Sequence, residues 1–177
     1  MGMSMNRIQV CEYRKEWEIE FLNIKSILEG KVGHVVAEHI GSTAVKGLAA
    51  KPILDIDLVI GTVELFRTVR EDLEKLGYFY QPQWSFEGRD AFGRRDPFTP
   101  WDGKDTTWMN HHLYVCPTDS VELARHLAFR DYLRSNWSAV EEYSDLKKRL
   151  AESFISRTQY TEGKTAFIER VLKKALS

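Results

Sequence analysis

Residues 38–59 read EHIGSTAVKGLAAKPILDIDLV, and the end of this stretch decides the fold. Asp55 and Asp57 alternate with Leu54, Ile56 and Leu58. A period of two marks a strand with both carboxylates on one face and the aliphatics on the other. Residues i and i+2 of a strand lie roughly 6–7 Å apart, so both acids can converge on one ion. Paired carboxylates repel each other unless a cation sits between them. Mg²⁺ suits the pair, because it takes hard oxygen ligands and keeps places for water and phosphate. Upstream, Gly41-Ser42-Thr43 follows a run from His34 to Ile40 that reads as another strand. Glycine there lets backbone N–H groups approach a phosphate, and the two hydroxyls add donors. Gly-Ser also makes ordinary turns, and no G-x-x-x-x-G-K-[ST] loop is present.

Working outward, Tyr13 to Gly30 carries Trp17, Phe21, Ile24, Ile27 and Leu28 at helical spacing, with Gly30 as the expected stop. Ala44 to Ala50 reads as a helical turn plus loop, and Ile53 to Ile60 as the aspartate strand. Val63 to Leu76 is a second amphipathic helix, closed by Gly77. Tyr78 to Tyr80 opens a short strand. From Gln81 to Thr107 proline and glycine break every period while aromatics persist, which predicts a long ordered loop or a hairpin near Phe86 to Phe92. Trp108 to Val115 is the next strand. Helices are expected from Ser120 to Arg134, from Ser138 (a capping box with Glu141) to about Phe154, and from Thr161 through Leu176.

Composition excludes several classes. The 177 residues favour one domain. A net charge of −1 provides no field for nucleic acid or an anionic membrane. Cys11 and Cys116 make neither a disulfide framework nor a zinc spacing. No 18-residue apolar run or signal core occurs, and Met1 to Asn6 lack the pattern for myristoylation. A cytoplasmic protein is expected.

HIGSTAV, GLAAKP and DIDLV together resemble the GrpB family, a branch of the nucleotidyltransferase superfamily. The resemblance continues through His111 to Val115, Phe129 to Arg134, Tyr143 with Leu146-Lys147, Tyr160-Thr161 and Lys164-Thr165. Lys46 stands where family members usually carry proline. The resemblance implies an α/β (α+β) nucleotidyltransferase-like mixed sheet with flanking helices. Residues 1–117 would form the core, and residues 118–177 a helical part packed on it within one compact domain. It implies a Mg²⁺-dependent protein that binds a nucleoside triphosphate and transfers a nucleotidyl group to an unidentified acceptor. The alternative is a catalytically silent nucleotide-binding module, as in GrpB-like domains fused to dephospho-CoA kinase.

Asp55 and Asp57 are then the expected metal ligands, with Gly41, Ser42 and Thr43 on the phosphates. Lys51 either balances the acids, holds phosphate or is a solvated lysine. Active nucleotidyltransferases usually place a third carboxylate on the neighbouring strand, but no Asp or Glu occurs between Asp105 and Asp119. His112 shares a face with Tyr114 while His111 takes the other. It is the candidate for that place as ligand or base, or else a packing histidine. Arg130 or Arg134 is a candidate phosphate clamp if their helix lines the cleft, and Asp131 with Arg134 otherwise reads as an i, i+3 surface salt bridge. Tyr143 and Lys147, like Tyr160 and Lys164, are i and i+4 pairs. They suggest base stacking plus charge, or core tyrosines with snorkelling lysines. Binding to nucleic acid or membrane is disfavoured.

Overall fold

A computed structural model describes residues 7–153 and 156–177. The readings of Met1 to Asn6 and of Phe154 lie outside these. Five strands form one mixed sheet, β1 (Val35–Ile40), β2 (Leu54–Ile60), β3 (Tyr78–Tyr80), β4 (Asp90–Arg94) and β5 (His111–Pro117), in the order β1-β2-β5-β4-β3. Only β2 and β5 are parallel. The helices are α1 (Glu16–Lys31), α2 (Phe66–Lys75), α3 (Val121–Ser135), α4 (Trp137–Glu152) and α5 (Arg157–Ala175).

The alternation of β2 sorts the two sides of the sheet. Leu54, Ile56, Leu58 and Ile60 are buried with Leu113, Val115 and Phe92 against Trp17, Phe21, Ile24 and Leu28 of α1 and Val69 and Leu73 of α2. On the opposite side, α3 packs on β1 and β5. A second core there joins Val45 and Leu48 of the turn after β1 to Leu133, Val140, Tyr143, Phe167 and Val171. The Ala49 N–H donates to Ser144 Oγ at 3.1 Å, pinning that turn to α4.

Several boundaries differ from the periodicity. Gly30 does not stop α1, which runs to Lys31 and closes with Val32 N–H on the Leu28 carbonyl. Ser138 and Glu141 form no cap, because α4 starts one residue earlier. Asn136 sits at that junction, its amide donating to the Tyr132 carbonyl, so the end of α3 fixes the start of α4. α5 begins at Arg157, four residues before Thr161, with a capping box between Ser156 and Gln159. Of the two readings for residues 81–107, the hairpin is found. Phe86 and Arg89 bridge its tip, and β4 pairs with both β3 and β5. Ser120 caps α3 as expected, accepting from Leu123 N–H at 3.1 Å. No described helix is long and apolar enough to cross a membrane.

Candidate functional site

The register of β2 against its neighbours builds a polar row. Asp55 pairs with His112 and Asp57 with Tyr114 on β5, while Glu38 of β1 lies across from Asp57. Cross-strand partners present their Cβ atoms to the same face. Asp55, Asp57, His112, Tyr114 and Glu38 therefore all face α3 to α5. His112 Nδ1 lies 3.1 Å from Asp55 Oδ1, and the imidazole is 58% exposed.

The two aspartates occupy unlike places. Asp55 lines a cavity of about 350 Å³ with Ser42, Thr43, Lys51, His112, Lys147 and Lys164. Asp57 is 0% exposed. Its Oδ2 lies 2.6 Å from His126 Nδ1, a residue of α3, and its Oδ1 is buried with no hydrogen-bond partner. Burial raises its pKa, opposed by the hydrogen bond from His126. Gly41 lies at φ 72°, and a Cβ there would come within 2.7 Å of Asp55 Oδ2. Only glycine brings the turn this close to the carboxylate in that left-handed conformation.

Above the aspartates, α4 and α5 each contribute a tyrosine and a lysine one turn apart. Lys147 Nζ lies 4.4 Å from the centre of the Tyr143 ring, and Lys164 Nζ 4.8 Å from that of Tyr160. Lys51 Nζ approaches the same Tyr160 ring at 5.2 Å. None of the three ammonium groups forms an ion pair with a described carboxylate. Lys147 is 2% exposed, and its Nζ has no hydrogen-bond partner. Burial pushes its pKa well down, reinforced by Lys164 and Lys51. Lys164 is lowered to about 8, by burial first and Lys51 second. An unpaired buried cation is costly, so Lys147, facing one cavity with the half-buried Lys164 and the exposed Lys51, suits a polyanion.

The remaining residues singled out in the sequence fall elsewhere or are engaged. Thr43 lines the cavity, with its hydroxyl 2.9 Å from His39 Nε2. Arg130 does not reach the cavity. Its Nη1 donates to Glu38 Oε2 at 2.7 Å and to the His39 carbonyl at 3.0 Å, and its Nε to Asp131. It therefore ties α3 to the edge strand instead of clamping an anion. His126 and Glu38 were not legible as site residues. His126 belongs to the helix expected from Ser120 to Arg134, but nothing in its spacing says that it meets Asp57.

Two carboxylates on one face, one with an orphaned buried oxygen, provide the hard donors that Mg²⁺ takes. No cluster of three or more His, Cys, Asp or Glu that could hold a metal occurs among the described residues. The donors thus fit an ion shared with a phosphate ligand and water, and do not form a protein-only cage.

The GrpB protein family matches residues 7–174. The glutamate-rich protein GrpB of Alkalihalophilus pseudofirmus is 31% identical over 180 residues, covering 98% of this chain and 99% of that one. A UPF0157 protein of Halalkalibacterium halodurans is 35% identical over 176 residues, covering 95% and 82%. The crystal structure of conserved protein GrpB from Enterococcus faecalis aligns with a TM-score of 0.74 at 34% identity, covering 95% of this chain and 97% of that one. A chain of the GLD-2/RNP-8 complex aligns at 0.52 and 14% identity over 85% of this chain and 59% of its own, a likeness of fold alone. With that sheet, that polar row and this match over nearly its whole length, the chain belongs to the GrpB family and has a nucleotidyltransferase-like fold.

Proposed function

We propose that the protein binds a nucleoside triphosphate with Mg²⁺ and transfers its nucleotidyl group to an acceptor. One observation carries this reading. The buried, unpartnered Lys147 ammonium shares a cavity with Lys51, Lys164, Asp55 and His112. Asp55 and Asp57 would hold Mg²⁺, which when bound orients phosphates and neutralises developing charge. The three lysines grip phosphate oxygens as point charges, and the Ser42 and Thr43 hydroxyls add hydrogen bonds. His112, anchored through Nδ1 to Asp55, faces the attacking oxygen and takes its proton where it carries one. The acceptor oxygen bonds to the α-phosphorus as the bond to the β-phosphate oxygen breaks. Pyrophosphate leaves with the bonding pair. The cytoplasm supplies both Mg²⁺ and triphosphate, and is the compartment this reading requires.

A second reading, a nucleotide-binding module without turnover, rests on Asp57 being enclosed and held by His126. Pyrophosphate release separates the two. The enzyme releases it from MgATP or MgGTP when acceptor-containing extract is added, and Asp55→Asn slows that release at least tenfold. Binding of the same nucleotides with no release in any extract selects the module.

A further inference from the structure

His112 lines not only the lysine cavity but two more recesses, of about 620 and 400 Å³. The larger shares Lys51, Ile53, Tyr160 and Thr161 with the lysine cavity, so ligands in the two would touch. Among the described residues no carboxylate lines this groove, although the chain has 26 Asp and Glu. Its own lining includes Arg157, Asn110, Pro52 and Trp84. Arg157 makes no described ion pair, and with Lys51 it gives the groove a cationic wall.

Trp84 is 63% exposed, and its backbone is held. Its carbonyl accepts from Arg89 Nη2 at 2.8 Å. The Arg89 guanidinium lies 4.4 Å from the centres of both the Phe86 and Tyr114 rings. Tyr114 is two residues from His112 and pairs with Asp57. Arg89 thus ties the Trp84 backbone to the strand that faces the aspartates and leaves the indole bare. A bare indole beside a cationic wall suits a planar ring that carries an anion. The other cavity beside Asp55, of about 340 Å³, mixes Arg89, Arg125 and Lys164 with Glu122 in its wall, and Arg125 is already paired with Glu122.

We propose, resting on the nucleotidyl-transfer reading above, that this groove is the acceptor subsite and takes a nucleoside monophosphate. Its ring stacks on Trp84, and its phosphate lies toward Lys51. A phosphate oxygen of the acceptor forms a bond to the α-phosphorus of the triphosphate. The α–β phosphoanhydride bond breaks, and pyrophosphate leaves with the electron pair. The product is a dinucleoside diphosphate. An anionic oxygen needs no proton removed, which matches a β5 face bearing imidazole and phenol and no carboxylate.

The test uses the full chain saturated with Mg²⁺ and α,β-methylene-ATP, titrated with AMP by calorimetry. One equivalent of AMP should bind beside the analogue. Trp84→Ala and Arg157→Gln should each weaken AMP about tenfold and leave the analogue within twofold. Ribose 5-phosphate and adenosine, each lacking one half of the acceptor, should bind at least tenfold more weakly than AMP. MgATP with AMP should yield diadenosine diphosphate and pyrophosphate. The proposal is overturned if AMP only displaces the analogue, or if Trp84→Ala weakens both ligands equally, which would put the donor's base in the groove. Failure of wild type to bind the analogue at all would instead overturn the underlying nucleotide reading.

Discussion

Neighbouring residues of β2 meet opposite fates. On the side of α1 and α2, Leu54, Ile56, Leu58 and Ile60 are enclosed by aliphatic and aromatic side chains. On the side of α3 to α5, Asp57 is equally enclosed with an unsatisfied oxygen, and Lys147 is buried above the same face without a partner. The first side is what hydrophobic burial builds when nothing else is asked of it. The second holds charges that lower stability unless a ligand satisfies them. Enclosed polar groups with no partner, more than any exposed motif, distinguish the side proposed to bind from the side that folds.

The largest expected effect tests the folding side. Ile56→Ala should cost about 2–5 kcal/mol, since Ile56 is fully buried and cannot be replaced by water. Asp55→Asn, one residue away and partly exposed, should stay within about 0.5 kcal/mol. Urea melts of both variants measure the contrast, and comparable losses would break it.

Next in size is a gain. Lys147→Met keeps the side chain as far as Cε and removes the unpaired buried ammonium. It should stabilise the protein by about 1–3 kcal/mol, the scale seen when buried ionic groups give way to apolar ones. The same change should weaken MgATP at least tenfold. Thermal melts and calorimetry together decide, and a destabilised variant with intact binding would assign Lys147 to packing.

A smaller effect comes from Lys164. Its pKa is about 8 in the fold, against 10.5 ordinarily. Between those values the unfolded chain binds more protons, so this group makes stability rise with pH from about 8 to 10.5. Lys147, also lowered, contributes with the same sign. In melts between pH 7.5 and 10, wild type should therefore gain on Lys164→Met as pH rises. Phosphate binding needs the charged form and should weaken over the same range.

Much of this was legible because strands and helices have fixed periods. Alternation placed Asp55 with Asp57 on one face and His112 with Tyr114 on one face, and the parallel register of β2 and β5 is what joins the two pairs. The i and i+4 pairs placed Lys147 beside Tyr143 and Lys164 beside Tyr160. Position between elements was not legible. His126 and Arg130 lie four residues apart on α3, but only packing decides that one meets Asp57 and the other Glu38. The starts of α4 and α5 were misplaced for a related reason. Ser138-x-x-Glu141 and Ser156-x-x-Gln159 are equivalent as patterns, and the end of α3 at Asn136 leaves only the second free to cap.

The central claim, that the polar face of β2 holds Mg²⁺ and nucleotide together, is tested most directly by calorimetric titration of ATP. Wild type and the double variant Asp55→Asn with Asp57→Asn would each be measured in Mg²⁺ and in EDTA. The account predicts a single site in wild type with Mg²⁺, weakened at least tenfold by EDTA and by the double substitution alike. Equal affinity in all four titrations would contradict it.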